Sequence, residues 1–144
     1  MTKQFQIQGG PEIIETVCRK ILTILSEHQD LKTIRLFGEP GTGKTTLCKS
    51  LLSLLNYNKE VSSPSFSLVN EYRTPEHGVI YHFDLYRIKS SEELAEMGFD
   101  EYLFSGNICI IEWPEIANNL IDFPTLNISL DYINQSERVY SLQY

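Results

Sequence analysis

Apolar residues recur along this chain with two spacings, and the switches between them outline its elements. Phe5-Gln6-Ile7 alternates with a period of two, as a short strand does. Gly9-Gly10-Pro11 interrupts that run. Pro11 suits the first turn of a helix, and Glu12 is favourable beside the positive end of its dipole. Ile13, Ile14, Val17, Ile21, Leu22, Ile24 and Leu25 then follow helical spacing and predict a broad apolar face as far as about Glu27. Thr33-Ile34-Arg35-Leu36-Phe37 reads as a short strand. Thr45 to Leu55 reads as a helix with Leu47, Leu51, Leu54 and Leu55 on one side.

The second half of the chain favours strands. Asn56 to Ser63 is a polar connection, and Phe66 to Tyr72 predicts a strand. Thr74-Pro75-Glu76-His77-Gly78 makes a turn, and Val79 to Leu85 forms the other arm of a hairpin. Ser91 is expected to cap a short helix through Met97, with Gly98 ending it. Asp100 to Phe104 is expected to add a helical turn. Ile108 to Ile111 is continuously apolar, as in a strand buried on both faces of a parallel sheet. Pro114 to Asn119 reads as a short helix or turn. Leu126 to Leu130 and Arg138 to Gln143 close the chain as strands about the turn at Asn134–Ser136. Together these elements predict one α/β domain over residues 1–144. Its expected form is a three-layer phosphate-loop NTPase fold, with a mixed sheet parallel at its centre and antiparallel at its edges.

Composition narrows the function. The 144 residues allow one core of useful size and leave no room for an appended helical lid domain. A net charge of −7 predicts a surface that repels bare nucleic acid, so a role near RNA would run through partner proteins. Cys18, Cys48 and Cys109 form no C-x-x-C pair and suggest neither a zinc site nor a disulfide framework; they read as small buried hydrophobes. No leader peptide is evident, and no apolar run approaches the ~18 residues of a membrane span. A cytoplasmic protein is expected.

Residues 38–45 complete the pattern G-x-x-x-x-G-K-T between a predicted strand and a predicted helix, which is the context in which it has physical meaning. Gly38, Glu39, Pro40, Gly41, Thr42, Gly43, Lys44, Thr45 and Thr46 are therefore the expected phosphate-binding residues. Backbone amides wrap the anion, and the helix N-terminus adds partial positive charge. Lys44 is expected to reach the β and γ phosphates, and the Thr45 hydroxyl to hold Mg²⁺.

Hydrolysis also requires an acid facing the metal and a group that orients water. Asp84 and Glu112 each close an apolar strand, at the sheet edge where α/β folds place their ligands. Both are candidates for metal and catalytic duty, and their division of labour is open. Trp113, the only tryptophan, fits either a buried anchor or a wall of the site. His82 alternates with Tyr81 and Phe83 and reads as a packed, hydrogen-bonded histidine. Ser65 lies in Ser63-Pro-Ser-Phe-Ser67, a loop whose hydroxyls could approach the γ-phosphate.

Five segments now stand in one order: residues 38–46, 63–72, 82–87 (His-Phe-Asp-Leu-Tyr-Arg), 98–103 (Gly-Phe-Asp-Glu-Tyr-Leu) and 110–115 (Ile-Ile-Glu-Trp-Pro-Glu). In this combination the chain closely resembles the bacterial TsaE family, from about Gly9 to Arg138. The resemblance implies an ATPase that supports threonylcarbamoyladenosine synthesis on tRNA together with the proteins TsaB and TsaD, with ATP and Mg²⁺ as cofactors. It also implies that Asp84 and Glu112 serve the metal and the hydrolytic water, that Trp113 lines the site, and that Ser65 belongs to a switch-like loop. Tyr86 and Arg87 enter as members of the same motif, for support or for partner contact. Two positions depart from the family pattern. Ser65 stands where the family usually has Thr, keeping the hydroxyl but losing a methyl. Pro40 stands where an aliphatic residue is more common, and it removes one amide from the loop.

Two rivals share the phosphate loop. A small-molecule (nucleoside-type) kinase needs cations to clamp the transferred phosphoryl group. Only Arg19, Arg35, Arg73, Arg87 and Arg138 are available, with no arginine-rich lid segment. A GTP-dependent switch would need an Asn-Lys-x-Asp base-reading motif, which Asn58-Lys-Glu-Val61 does not complete.

Overall fold

A computed structural model describes residues 2–61 and 68–144. Among the described residues seven strands form one sheet in the order β1-β7-β6-β2-β5-β4-β3. They are β1 (Gln4–Gly9), β2 (Thr33–Phe37), β3 (Val69–Thr74), β4 (Gly78–Asp84), β5 (Ile108–Glu112), β6 (Leu126–Tyr132) and β7 (Arg138–Gln143). The inner four, β6-β2-β5-β4, run parallel, while β1-β7-β6 and β4-β3 pair antiparallel. The mixed sheet is thus the expected one. The α-helices are α1 (Ile14–Glu27), α2 (Lys44–Leu54), α3 (Ser91–Glu96) and α4 (Phe99–Leu103), with 3₁₀ turns at Pro11–Ile13 and Pro114–Leu120.

Each face of the sheet carries its own core. Val17, Ile21 and Ile24 of α1 and Leu47, Leu51 and Leu52 of α2 pack on Ile34, Leu36, Ile80, Ile110 and Ile128. Phe83, Cys109 and Ile111 point to the other face, against Leu94 of α3 and Phe99 and Leu103 of α4. The alternation in β4 and β5 is what separates the cores: Ile80 and Ile110 face one way, Phe83 and Ile111 the other. All five residues of β5 are buried, as its apolar run requires. The result is three layers, helix–sheet–helix.

Several boundaries move by a residue or two. Among the described residues the hairpin strand runs from Val69; Phe66, where the sequence predicts its start, lies outside the described residues along with the rest of 62–67. The cap of α3 is Ser90, not Ser91: the Ser90 hydroxyl accepts the Glu93 amide at 3.4 Å. Ser90-x-x-Glu93 is the capping-box spacing, whereas a cap at Ser91 would place Leu94 at the third helical position. Among the described residues no helix is long and apolar enough to cross a membrane.

Candidate nucleotide-binding and catalytic site

The site follows from strand register. In the parallel sheet Leu36 pairs with Glu112, and Glu112 pairs with Asp84, so β2, β5 and β4 end together at one edge. The phosphate loop leaves β2 one residue later, and both acids stand to one side of it, Glu112 on the adjacent strand and Asp84 on the next. Gly38 must be glycine for lack of room: a Cβ there would sit 2.9 Å from the Leu130 carbonyl oxygen and 2.8 Å from Thr42 Oγ1. Gly43 adopts φ +103 directly before α2, which turns the chain sharply into the helix. Thr42 Oγ1 donates to the Glu39 carbonyl at 2.8 Å and ties the loop to itself.

A cavity of about 480 Å³ opens at this edge, lined by the loop, Thr45, Asp84, Glu112, Trp113 and Tyr86. Lys44 is 6% exposed. Its ammonium donates to the Gly38 carbonyl at 2.5 Å and lies 4.1 Å above the Trp113 ring. Desolvation lowers its pKa, against the opposing fields of Glu112, Asp84, Glu115 and Glu39. A triphosphate in this cavity would meet one lysine amid four carboxylates, a balance that a bound divalent cation could offset. The donor set fits one. Thr45 Oγ1 and the two carboxylates are hard oxygen ligands around the same cavity, as Mg²⁺ prefers.

The two acids are held differently. Asp84 Oδ1 accepts the Tyr86 amide at 3.0 Å, an Asx turn that fixes the carboxylate where β4 ends. Glu112 is 3% exposed, and its Oε2 lies 2.5 Å from Nε2 of the fully buried His82. Burial disfavours a charged His82, but Cys48 and Glu112 beside Nε2 outweigh it and hold the imidazole pKa well above the ordinary histidine value. The Cys48, His82 and Glu112 ligand atoms lie within 4.8 Å of one another. Metal bonds of about 2.0–2.2 Å in a tetrahedral site would hold a histidine nitrogen and a carboxylate oxygen further apart than 2.5 Å. The trio is packed as a hydrogen-bond network.

A family model described as threonylcarbamoyl adenosine biosynthesis protein TsaE matches residues 11–140. The chain belongs to the TsaE family. It is 39% identical over 111 residues to the tRNA threonylcarbamoyladenosine biosynthesis protein TsaE of Rickettsia typhi, covering 76% of each chain. To the protein of the same name from Haemophilus influenzae it is 34% identical, covering 84% of this chain and 77% of that one. To that of Bacillus subtilis it is 30% identical, with 90% and 78% covered. The crystal structure of Bacillus subtilis YdiB superposes with a TM-score of 0.75 over 99% of this chain and 86% of that one, at 23% identity. That likeness speaks to the fold.

In this TsaE family member the cavity gathers Pro40, Gly41, Gly43, Lys44, Thr45, Thr46, Asp84, Glu112 and Trp113. Gly38 and Glu39 line a neighbouring hollow beside Trp113, and the side chain of Thr42 turns inward to the loop. Ser65 lies outside the described residues. Trp113 adopts φ +55, a left-handed conformation that is strained for a bulky residue and recurs at functional sites. Its ring is half-buried and packs 4.8 Å from Tyr86, which is 62% exposed. Two contacts to the loop come from far along the chain. Tyr132 donates its hydroxyl to the Gly41 carbonyl, and the Arg138 guanidinium packs over the Tyr132 ring at 4.9 Å, beside Gly43. No local pattern announces them, because the contacts bridge some ninety residues. The Glu112–His82 pairing did leave a trace: His82 and Asp84 are two apart on one strand and must share a face.

Proposed function

We propose that this chain is a Mg²⁺-dependent ATPase of tRNA N6-threonylcarbamoyladenosine modification, acting in the cytoplasm with TsaB and TsaD. The observation that carries the proposal is the convergence of a complete phosphate loop, Lys44, Thr45 and two register-paired acids on one cavity. Loop amides and the α2 N-terminus hold the phosphates. Lys44 leaves the Gly38 carbonyl to reach the β and γ phosphates. Thr45, Asp84 and Glu112 would hold Mg²⁺, which when bound neutralises charge on the β and γ oxygens. Glu112, which lines the same cavity, would accept a hydrogen bond from the attacking water. The water oxygen bonds to the γ-phosphorus, the bond to the bridging oxygen breaks, and ADP departs with that oxygen; one proton of the water stays on the released phosphate and the other is lost to solvent.

The −7 net charge supports action through partners rather than direct grip on tRNA. Hydrolysis would reset the transferase complex and leave the tRNA chemistry to it. Incubation with ATP and a nucleoside panel separates this from the kinase alternative: release of ADP and phosphate is expected, and a phosphorylated nucleoside would overturn it.

A further inference from the structure

His82 sits at the junction of three elements that the site depends on. Its Nε2 meets Glu112 Oε2 on β5 at 2.5 Å and Cys48 Sγ on α2, the phosphate-loop helix, at 3.7 Å. Its Nδ1 lies 3.4 Å from the Tyr72 hydroxyl on β3, which in turn accepts from Asn70 Nδ2 at 3.3 Å. His82 is 0% exposed and Glu112 3%, so neither finds a substitute partner in bulk water. A buried carboxylate without a donor is costly, and one held by a single directed bond loses rotational freedom.

The geometry points to His82 as the positioning residue for Glu112: its Nε2–H engages Oε2, and the other carboxylate oxygen is left for the cavity. Nε2–H can donate in either protonation state, so the role holds whether the ring is neutral or charged. The Asn70–Tyr72–His82 chain fixes the ring plane behind it, and Cys48 closes the remaining side. His82 does not touch the nucleotide; it acts through Glu112. The role rests on Glu112 serving hydrolysis, as proposed above.

Glutamine and asparagine divide the two ring nitrogens between them. The His82→Gln amide reaches the Nε2 position and can donate to Glu112, whereas His82→Asn reaches only the Nδ1 position beside Tyr72. In ATP turnover with TsaB and TsaD present, His82→Asn is expected to lower kcat by about 10- to 100-fold with KM for ATP nearly unchanged. His82→Gln recovers most of that loss. On a Glu112→Gln background His82→Asn has no further effect, since its route is already cut. A second readout is independent of turnover: the wild type without nucleotide should show a downfield, exchange-protected imidazole N–H proton signal that moves upfield in Glu112→Gln. Equal kcat for folded Asn and Gln variants, multiplying effects in the double variant, or an N–H signal indifferent to Glu112 would each overturn the proposal. If Glu112→Gln itself turns over at the wild-type rate, it is the proposed catalytic duty of Glu112 that fails, and His82 loses its target with it.

Discussion

Lys44 joins both ends of the phosphate loop. Its ammonium is desolvated, bound to the Gly38 carbonyl and seated over Trp113. Lys44→Ala removes the proposed phosphate cation and also this internal tie. Calorimetric titration with ATP should show binding lost, while wild type binds. The cysteines respond to the same low-dielectric interior in a simpler way. Burial pushes the Cys18 thiol up to about 12, helped by Cys48 and Glu15, and Cys109 likewise to about 12 by burial alone. Both thiols are therefore neutral in the fold at physiological pH, and all three cysteines are buried. A thiol reagent should label none of them in the native protein at pH 7.5, and all three after unfolding. The sign for stability follows from linkage. With the folded pKa above that of the unfolded thiol, the contribution is complete below about pH 9 and fades as pH rises toward 12. Thermal melts across that window should fall in step.

At the scale of elements, the phosphate loop is held from two sides. Its own strand fixes where it starts, and the β6–β7 hairpin packs against its back through Leu130, Tyr132 and Arg138. Gly38→Ala would drive a methyl against the Leu130 backbone oxygen, which cannot move without breaking the sheet. Overpacking of this kind costs about 1–3 kcal/mol. A melting temperature lower by several degrees, with weakened ATP binding, is the expected result. The elements themselves were largely written in local patterns. Thr33–Phe37 is a strand over the residues its pattern predicts, because an alternating run bounded by polar residues and glycine leaves little choice. The α3 cap shifted by one residue because two serines stand side by side and only the capping-box partner Glu93 distinguishes them. Register was not legible. Nothing in the separate segments states that Asp84 stands opposite Glu112, and that alignment, set by packing on both sheet faces, is what makes them one site.

For the whole molecule, two cores clamp a single sheet, and its parallel centre delivers loop and acids to one edge. The loop motif predicted a nucleotide ligand from sequence alone, while the grouping of five segments pointed to the family that the comparisons show. What sequence could not supply was the wiring behind Glu112, since Cys48, Tyr72 and His82 come from three separated elements. Glu112→Ala should leave ATP affinity within a few-fold of wild type and reduce hydrolysis by at least about 100-fold, the split expected of a group that acts mainly on the reacting water. The central claim, that this chain hydrolyses ATP in the service of a partner complex, is tested most directly by phosphate release from ATP with and without a reconstituted TsaB–TsaD pair. The account predicts Mg²⁺-dependent release of ADP and phosphate that rises when the pair is added and disappears in Glu112→Ala. No ADP release even with the pair present would contradict it.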